Sequence, residues 1–517
     1  MQMNYFIKNV LATTMLLTAS LSIVSCQGLI DAIVGSEDNP SSQVQPSPTP
    51  VVPTPDDALS IPLTLEAVSG TMTVTFRSTN STGITIEYST DDGATWTSGT
   101  ASDASGKQDI DNTSNPLTIT GSKILLRGNN ATYSNNMVNN GDWSNYYYSN
   151  FACSDDCYIY GNVMSLIKAE NFATLAEFPP LVENTSGVFV GLFKNNAKIK
   201  NHESKKLSLP ATKLVHNCYS EMFSGCTGLT KAIELPATTL AMGCYMGMFG
   251  GCTNLATVPQ LKATTTKAWC YASMFSDCTS LTMAPELIAT ELDIECYANM
   301  FSGCTKLETA PELPATTLAF RCYGGMFSNC TSLASAPQLP ATILADDCYS
   351  GMFSECTSLT STPELPATVA KESCYSFMFS GCTGLTSASA ILATTLAKQC
   401  YLAMFDGCSN LVTPPALPAT ELKESCYRQM FSQCKSLTTA PELPATKLVE
   451  GCYYNMFWGC SSLNSVTCHA TDISAEECVN YWLSDVAASG TFNKPSTMTS
   501  WTTGSDGIPT GWTVVNQ

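Results

Sequence analysis

Between residues 218 and 477 the chain repeats a 26-residue unit ten times without insertion. Each copy begins Cys-Tyr-x-x-Met-Phe-x-x-Cys-x-x-Leu. The copies start at Cys218, Cys244, Cys270, Cys296, Cys322, Cys348, Cys374, Cys400, Cys426 and Cys452. One short unit cannot close a hydrophobic core alone, whereas stacked units can, so a fixed period of this length is typical of a solenoid.

The invariant residues of each copy follow a spacing typical of one face of an α-helix. In the first copy they are Cys218, Tyr219, Met222, Phe223 and Cys226, at i, i+1, i+4, i+5 and i+8. The positions between them vary among the copies, as solvent-exposed positions do. The sequence therefore predicts a short helix whose cysteine, tyrosine, methionine and phenylalanine side chains point into a core.

The residues at both ends of this segment agree with a helix. A threonine precedes the first cysteine, as at Thr212 and Thr238, where its hydroxyl is expected to accept an unpaired N–H of the first turn. The residue before the second cysteine is glycine, asparagine or aspartate in eight copies, which is typical of a left-handed helix end. These eight residues are Gly225, Gly251, Asp277, Gly303, Asn329, Gly381, Gly407 and Gly459.

The rest of the unit is too short and too rich in proline for a second helix. In "LTSTPELPAT", residues 359–368, the apolar Leu359 and Leu365 predict a brief extended strand. One helix and one strand per copy give an α/β repeat, a leucine-rich-repeat-like right-handed solenoid. Ten strands about 4.8 Å apart would form a parallel sheet roughly 48 Å long.

Both ends of such a stack need atypical units, because an open end would promote aggregation. We assign residues 161–217 to an N-terminal cap and 478–517 to a C-terminal cap. The segment "GLFKNNAKI" at 191–199 imitates the repeat with Asn196 in place of a cysteine. The C-terminal cap contains three tryptophans, Trp482, Trp501 and Trp512.

The N-terminal residues predict export and membrane anchoring. Residues 1–25 form a signal peptide, since Lys8 precedes an apolar stretch shorter than a membrane-spanning helix. Its end, "IVSC", resembles a bacterial lipoprotein processing site, which makes Cys26 the expected point of lipid attachment. Residues 26–58 are a proline-rich spacer. Residues 59–160 alternate apolar and polar residues in short runs and predict a small antiparallel β domain, similar to a sandwich.

The repeated frame "CYxxMFxxCxxL…LPAT" resembles the BspA-like leucine-rich-repeat surface proteins of Bacteroidetes and spirochaetes. The resemblance covers about residues 192–470, and "ITIEYSTDDGATWT" also resembles the β module that often precedes such arrays. It implies lipoproteins displayed on cell surfaces that bind host matrix proteins or other bacteria, with no catalytic residues. The segment "APELP" departs from the usual family strand by one extra residue.

Twenty of the 25 cysteines belong to the repeats. Eight helical residues rise about 12 Å, whereas a disulfide needs Cα atoms within about 7 Å. We therefore favour buried thiols that act as small apolar side chains, over the disulfides that an exported protein could form. Thiolate metal sites use shorter spacings, and the three histidines, His202, His216 and His469, are scattered, so no metal site is expected.

Cys153 and Cys157 flank a tight turn before the repeats. Both a disulfide across this hairpin and two free thiols fit the sequence there.

Residues 89–96, "STDDGATW", resemble the Asp-box of sialidases. A sialidase binds its substrate carboxylate with three arginines, but only Arg77 and Arg127 lie in this domain. We therefore expect Asp91 and Gly93 to form a hairpin turn, with Trp96 packed beside it.

An acidic row is the strongest candidate binding surface, with one residue in most copies beside an inward leucine. It comprises Glu234, Gln260, Glu286, Glu312, Gln338, Glu364 and Glu442. The row fits either an ordinary solvated face or a stripe that meets a basic partner or divalent cations.

The formal net charge of −19 repels phosphate backbones and argues against nucleic-acid binding. No catalytic constellation with supporting context is present, so neither an enzyme nor a cofactor is expected. The sequence favours a monomeric adhesin, lipid-anchored at the bacterial outer membrane and exposed at the cell surface. Its ligand would be an extracellular protein or glycan from host or bacteria. A surface glycan-binding accessory protein is the alternative.

Overall fold

The computed structural model describes residues 57–79, 83–102, 115–133, 148–179 and 187–517. The predicted signal peptide, Cys26 and nearly all of the proline-rich spacer lie outside the described residues. No helix within the described ranges is long and apolar enough to cross a bilayer.

Eight strands lie in the described part of the chain before residue 163. They are β1 (Leu63–Ala67), β2 (Met72–Arg77), β3 (Ile84–Ser89), β4 (Thr97–Ala101), β5 (Leu117–Gly121), β6 (Lys123–Arg127), β7 (Asn150–Cys153) and β8 (Cys157–Asn162). One sheet has the order β8-β1-β6-β3-β4 and a second has the order β5-β2-β7, with antiparallel neighbours throughout. Alternate residues of β2, namely Met72, Val74 and Phe76, are buried in the core, so the period-two pattern places one face of this strand inward.

Strand β8 joins this antiparallel part to the repeats. One edge of β8 pairs antiparallel with β1, and the other pairs parallel with β9 (Ile199–Asn201) and β10 (Leu207–Ser208). Gly161 in β8 has a φ of +88°, and a Cβ there would lie 2.2 Å from the Pro62 carbonyl oxygen. A side chain at this position would therefore collide with the backbone that leads into β1.

The helix predicted for each copy is wrong. Among the described residues the only helices are the 3-10 segments Asp57–Leu59, Val163–Leu166 and Phe172–Thr174. The repeats form consecutive turns instead, and every fourth residue has a left-handed backbone. In the turns around Cys348 these residues are Asp347, Gly351 and Glu355, with φ of 54°, 62° and 60°.

The hydrogen bonds explain why these turns do not continue as a helix. The N–H groups of Met352 and Ser354 bond to carbonyls three residues earlier, at 3.1 Å each. Those of Gly351, Phe353 and Glu355 bond instead to carbonyls of the next copy, at 2.7–2.9 Å. Half of the backbone donors are therefore satisfied between copies, and no α-helical i to i−4 ladder forms.

The predicted left-handed residue before the second cysteine is confirmed, although it ends a turn rather than a helix. The six glycines at this position have φ between 71° and 75°, and Asp277 and Asn329 have φ of 55° and 60°. The threonines predicted to start a helix lie instead outside the turns, in the connection that precedes them. The N–H of Thr238, for example, donates to the carbonyl of Thr212 in the preceding copy at 3.1 Å.

The strands of the repeats are shorter than expected. Between residues 209 and 464, all of which are described, extended pairing is limited to isolated parallel bridges, such as Ser361 with Ser387 and Leu365 with Ile391. Partners lie 26 residues apart, so the copies stack in register as predicted. Proline cannot donate to a ladder, and its recurrence in this segment limits the pairing to single residues.

The inward direction of the invariant side chains is confirmed. Every repeat cysteine, methionine and phenylalanine from Cys218 to Cys460 is at most 1% exposed, and the tyrosines are at most 2% exposed. Phenylalanines of successive copies stack with ring centroids 5.6–5.9 Å apart, from Phe223 to Phe457. The tyrosines form a second ladder, at 5.4–6.3 Å. The core is therefore continuous through all ten copies.

The two ends of the array cover this core with atypical residues. At the start, Phe193 stacks on Phe223 at 5.5 Å, and Asn196 is buried with its amide donating to the Phe151 carbonyl at 3.1 Å. At the other end, Trp482 is fully buried and stacks on Tyr453 at 6.1 Å. A parallel sheet of β11 (Ser465–Thr467), β12 (Thr491–Lys494) and β13 (Thr513–Asn516) follows.

Candidate binding surfaces

The acidic row is exposed along the solenoid. All seven of its residues are exposed, and each is followed by a buried residue, such as Leu235 or Leu365. The row is interrupted by Ala390 and Ala416, which occupy the same position in two copies. Because its members recur every 26 residues, the row repeats one chemical group along the stack.

The glutamates at the two ends of the row form ion pairs, whereas those in the middle have none among the described residues. Glu234 pairs with Lys206 at 3.0 Å, and Glu442 pairs with His469 at 2.6 Å. In the part of the chain that the structure describes, the central Glu286, Glu312 and Glu364 form no ion pair. The middle of the row therefore keeps its negative charge available to a ligand.

The Asp-box segment forms the predicted hairpin turn between β3 and β4. The Asp91 carboxylate accepts hydrogen bonds from the Thr95 hydroxyl at 2.6 Å, the Ser89 hydroxyl at 2.7 Å and the Thr95 N–H at 2.9 Å. These bonds, that from the Thr95 hydroxyl above all, lower the pKa of Asp91 to about 2. Arg127 lies 3.9 Å above the Trp96 ring and bonds to Glu87 at 2.6 Å. The guanidinium is thus already engaged within the domain.

Cys153 and Cys157 are free thiols in the structure and lie at the facing ends of β7 and β8. The Cys157 thiol hydrogen-bonds to Cys153 and lowers the pKa of Cys153, and the Asn196 amide donates to the same sulfur at 3.4 Å. The pKa of Cys157 is raised, first by this hydrogen bond and then by burial. A disulfide between the two cysteines stays one of the two alternatives that the sequence allows.

The cysteines of the repeats are buried free thiols. The second cysteine of each copy donates to a phenylalanine carbonyl of the preceding copy, as Cys330 does to Phe301 at 3.2 Å. Burial raises the pKa of these thiols, to about 12 for Cys244 and Cys356. A thiol that stays protonated at neutral pH is a poor nucleophile and a poor metal ligand. No group of three or more histidine, cysteine or acidic residues within the described ranges could hold a metal ion.

A cavity of about 800 Å³ lies where β9 and β10 meet the first two copies. Residues 202–206 leave the sheet after β9 and form its rim. The Nδ1 atom of His202 accepts the N–H groups of Ser204 and Lys205, both at 3.1 Å, and so fixes the shape of this rim. The Asn201 carboxamide oxygen accepts the Lys231 N–H at 2.9 Å and ties the rim to the first copy.

The sequence reasoning missed this cavity, although a local charge count points to it. Residues 194–267 contain nine lysines and three glutamates, hence a formal charge of +6 in a chain whose net charge is −19. Five basic side chains line the cavity: His202, Lys205, Lys206, Lys231 and Lys262. Lys205 pairs with Glu66 at 2.9 Å, whereas Lys231 and Lys262 are exposed and form no ion pair with the described residues.

Comparison with known families assigns the repeats. Residues 195–334, 295–414 and 398–497 match the family described as BspA type leucine rich repeat region (6 copies). Together these segments cover more than half of the chain. The chain belongs to this family. The resemblance seen in the sequence is thereby confirmed, and with it a leucine-rich-repeat solenoid.

BspA-type repeats are generally binding scaffolds rather than enzymes, which favours a protein-binding or ligand-binding role for this chain. No curated protein matches the chain. Among solved structures, a chain from the crystal structure of the TLR13–ssRNA13 complex is similar, with 15% sequence identity and a TM-score of 0.23. The similar region covers 59% of the present chain and 42% of that chain, which is less than half of its length. The fold assignment rests on the family match.

Proposed function

We propose that this BspA-type protein is an adhesin that binds host or bacterial macromolecules at the cell surface. The observation that carries the proposal is the uninterrupted stack of ten copies, which presents the same exposed groups at regular intervals over one surface. Many weak, repeated contacts suit an extended macromolecule better than a small substrate. The absence of any catalytic constellation in the sequence agrees with this role.

Membrane attachment is part of the same proposal. Lipidation of Cys26 would hold the chain durably at the outer membrane, because acyl chains bind at about 0.8 kcal/mol per buried methylene. The proline-rich spacer that follows would hold the β domain and the solenoid away from the lipid. Recovery of diacylglycerol on Cys26 after labelling with a clickable fatty acid would support this step, and an unlipidated surface protein would contradict it.

The central acidic row is the proposed contact surface for a basic partner. Glu286 and Glu312 lie in adjacent copies, and two carboxylates about 4.8 Å apart repel one another by about 0.9 kcal/mol even in water. A basic ligand would relieve this repulsion, and complementary charge would also accelerate association.

The test is binding of the full chain to immobilised matrix proteins, before and after Glu286→Gln, Glu312→Gln and Glu364→Gln are combined. Glu308→Gln, Glu372→Gln and Glu450→Gln form a matched control, since these three residues are exposed and outside the row. The row variant should bind at least about tenfold more weakly with a shallower salt dependence, and the control should bind as the parent does. Equal affinity and equal salt dependence of the two variants would exclude the row as the contact surface.

A surface glycan-binding accessory protein is the second candidate, and the basic cavity is the observation that favours it. Binding of the chain to matrix proteins and to a panel of polysaccharides, measured side by side, distinguishes the two functions. An adhesin of the first kind should bind the proteins and ignore the glycans. Binding of polysaccharides alone would favour the second candidate.

A further inference from the structure

The basic cavity beside β9 and β10 differs in charge and shape from the rest of the solenoid. Residues 202–206 and the first two copies together line about 800 Å³. A second, shallower cavity of about 530 Å³ lies on the acidic row, beside Glu286 and Glu312. The volume of the basic cavity is within the range of pockets that hold compact ligands, about 300–1,000 Å³. The cavity is therefore of a size that suits a small molecule or a short oligomer.

The two lysines on the solenoid side are departures from the repeat. Lys262 stands where Pro236, Pro314 and Pro340 occupy the same position in other copies, and Lys231 stands where most copies have serine or threonine. Both side chains line the cavity and are exposed. Neither forms an ion pair with the described residues. Two carboxylates also line the cavity: Glu234, which pairs with Lys206 at 3.0 Å, and the exposed Glu203 on the rim. The four lysines of the lining outnumber these two carboxylates.

The uncharged lining indicates which kind of anion fits. Ser204, Ser208, Thr257 and Gln260 offer hydroxyl and amide groups toward the space. Apolar residues, such as Leu207 and Leu235, form the floor beneath these groups and could contact the carbon face of a sugar ring. Hydroxyl-rich ligands that carry a negative charge match such a wall of hydrogen-bonding and cationic groups.

We infer that this cavity binds an acidic saccharide, one to three sugar units bearing carboxylate or sulfate groups, with Lys231 and Lys262 as the charge partners. The inference rests on the proposed function of the chain as a binding protein. It names a ligand class for the second candidate, the surface glycan-binding protein. It does not involve the central acidic row. The adhesin proposal is tested with protein ligands and row variants, so failure of one leaves the other standing.

The test is calorimetric titration of the full chain with trigalacturonate, which carries only carboxylates, and with a heparin tetrasaccharide, which also carries sulfates. Maltotriose serves as the neutral comparison and hexaglutamate as the acidic peptide. Binding of either acidic sugar, with at least about tenfold loss in the K231Q/K262Q variant, is the expected result. The response to the two sugars shows which anionic group is recognised.

The K306Q/K435Q variant is the matched control. It removes the same charge from two exposed lysines that lie outside the cavity and form no described ion pair, so it should bind as the parent does. Unchanged thermal midpoints of both variants exclude loss of folding as the cause. The inference is overturned if neither acidic sugar binds, if both variants lose the same affinity, if maltotriose binds equally well, or if hexaglutamate binds as tightly through the same lysines.

Discussion

At the scale of single residues, the repeated core combines good packing with unsatisfied groups. Tyr219 and Tyr427 are fully buried, yet their hydroxyl groups have no hydrogen-bond partner among the residues that the structure describes. Tyr133, in the β domain, is equally buried, but its hydroxyl donates to the Leu166 carbonyl at 2.9 Å. A buried polar group without a partner costs free energy, whereas a paired one contributes about 1 kcal/mol.

Replacement by phenylalanine should therefore have opposite effects at Tyr427 and at Tyr133. Tyr427→Phe removes an unpaired hydroxyl and should leave the free energy of unfolding unchanged or raise it. Tyr133→Phe removes two hydrogen bonds, one donated to Leu166 and one accepted from Asn130, and should lower it by about 1–2 kcal/mol. Urea unfolding followed by circular dichroism measures both. Greater destabilisation by Tyr427→Phe than by Tyr133→Phe would show that the ladder hydroxyls are bonded.

The left-handed positions of the turns predict a second effect of substitution. Gly351 has a φ of +62° and open space where a Cβ would be, so only backbone strain opposes a side chain. Gly351→Ala should therefore lower the free energy of unfolding by about 1–2 kcal/mol. Ser350→Ala, one residue earlier and without the left-handed backbone, should change it by less than about 0.5 kcal/mol. Equal effects of the two substitutions in urea unfolding would contradict the turn geometry.

At the scale of elements, the 26-residue copy is the building unit because its hydrogen bonds are shared with its neighbours. The N–H groups of Tyr349, Gly351, Phe353 and Glu355 all donate to the next copy. A copy therefore has no complete set of hydrogen bonds alone, and any change in chain length must preserve this register.

Deletion of residues 322–347 removes one complete unit and places Arg321 before Cys348. Since Arg321 has the same left-handed backbone as Asp347, which it replaces, the shortened stack should fold and melt within a few degrees of the parent. Deletion of residues 335–347 removes half a unit, shifts the register and should abolish cooperative melting of the repeats. Thermal circular dichroism compares the two proteins. Similar melting curves for both would argue against stacking in register.

The sequence allowed prediction of the repeat and its inward face, because ten copies show which positions are invariant. It did not allow correct prediction of the local conformation. Residues at i, i+4 and i+8 suit a helix only approximately, since the first and last lie about 80° apart around an α-helix. In the structure, residues at strict four-residue intervals, such as Asp347, Gly351 and Glu355, have positive φ and interrupt the predicted helix. The residue types at the first two of these positions vary from copy to copy, so the sequence pattern does not mark those two. The basic cavity escaped notice because its lysines belong to different copies and are brought together only by stacking.

At the scale of the whole molecule, the continuous interior makes stability depend on pH. Burial raises the pKa of Cys244, Cys356 and Cys400 to about 12, whereas an ordinary thiol has a pKa near 9.0. Above pH 9 the unfolded chain loses protons that the folded chain retains. The free energy of unfolding should therefore be constant at neutral pH and fall as the pH approaches and passes 9. Because twenty buried thiols contribute together, at about 1.4 kcal/mol per pH unit each, and a folded domain is stable by only about 5–15 kcal/mol, the repeats should unfold within about one pH unit of pH 9.

Urea unfolding between pH 7 and about pH 9.5 in the presence of a reductant measures this dependence. A free energy of unfolding that is flat across this range would contradict burial of the thiols.

The central claim is that successive copies enclose one shared interior. Its most direct measurement is iodoacetamide labelling of the reduced native chain at neutral pH, quantified for each cysteine by mass spectrometry. Cys153 is only partly buried and serves as an internal reference. The account predicts that the twenty repeat cysteines stay unlabelled in the native chain while Cys153 reacts, and that all of them react in urea. Labelling of the repeat cysteines in the native chain at the rate seen in urea would contradict it.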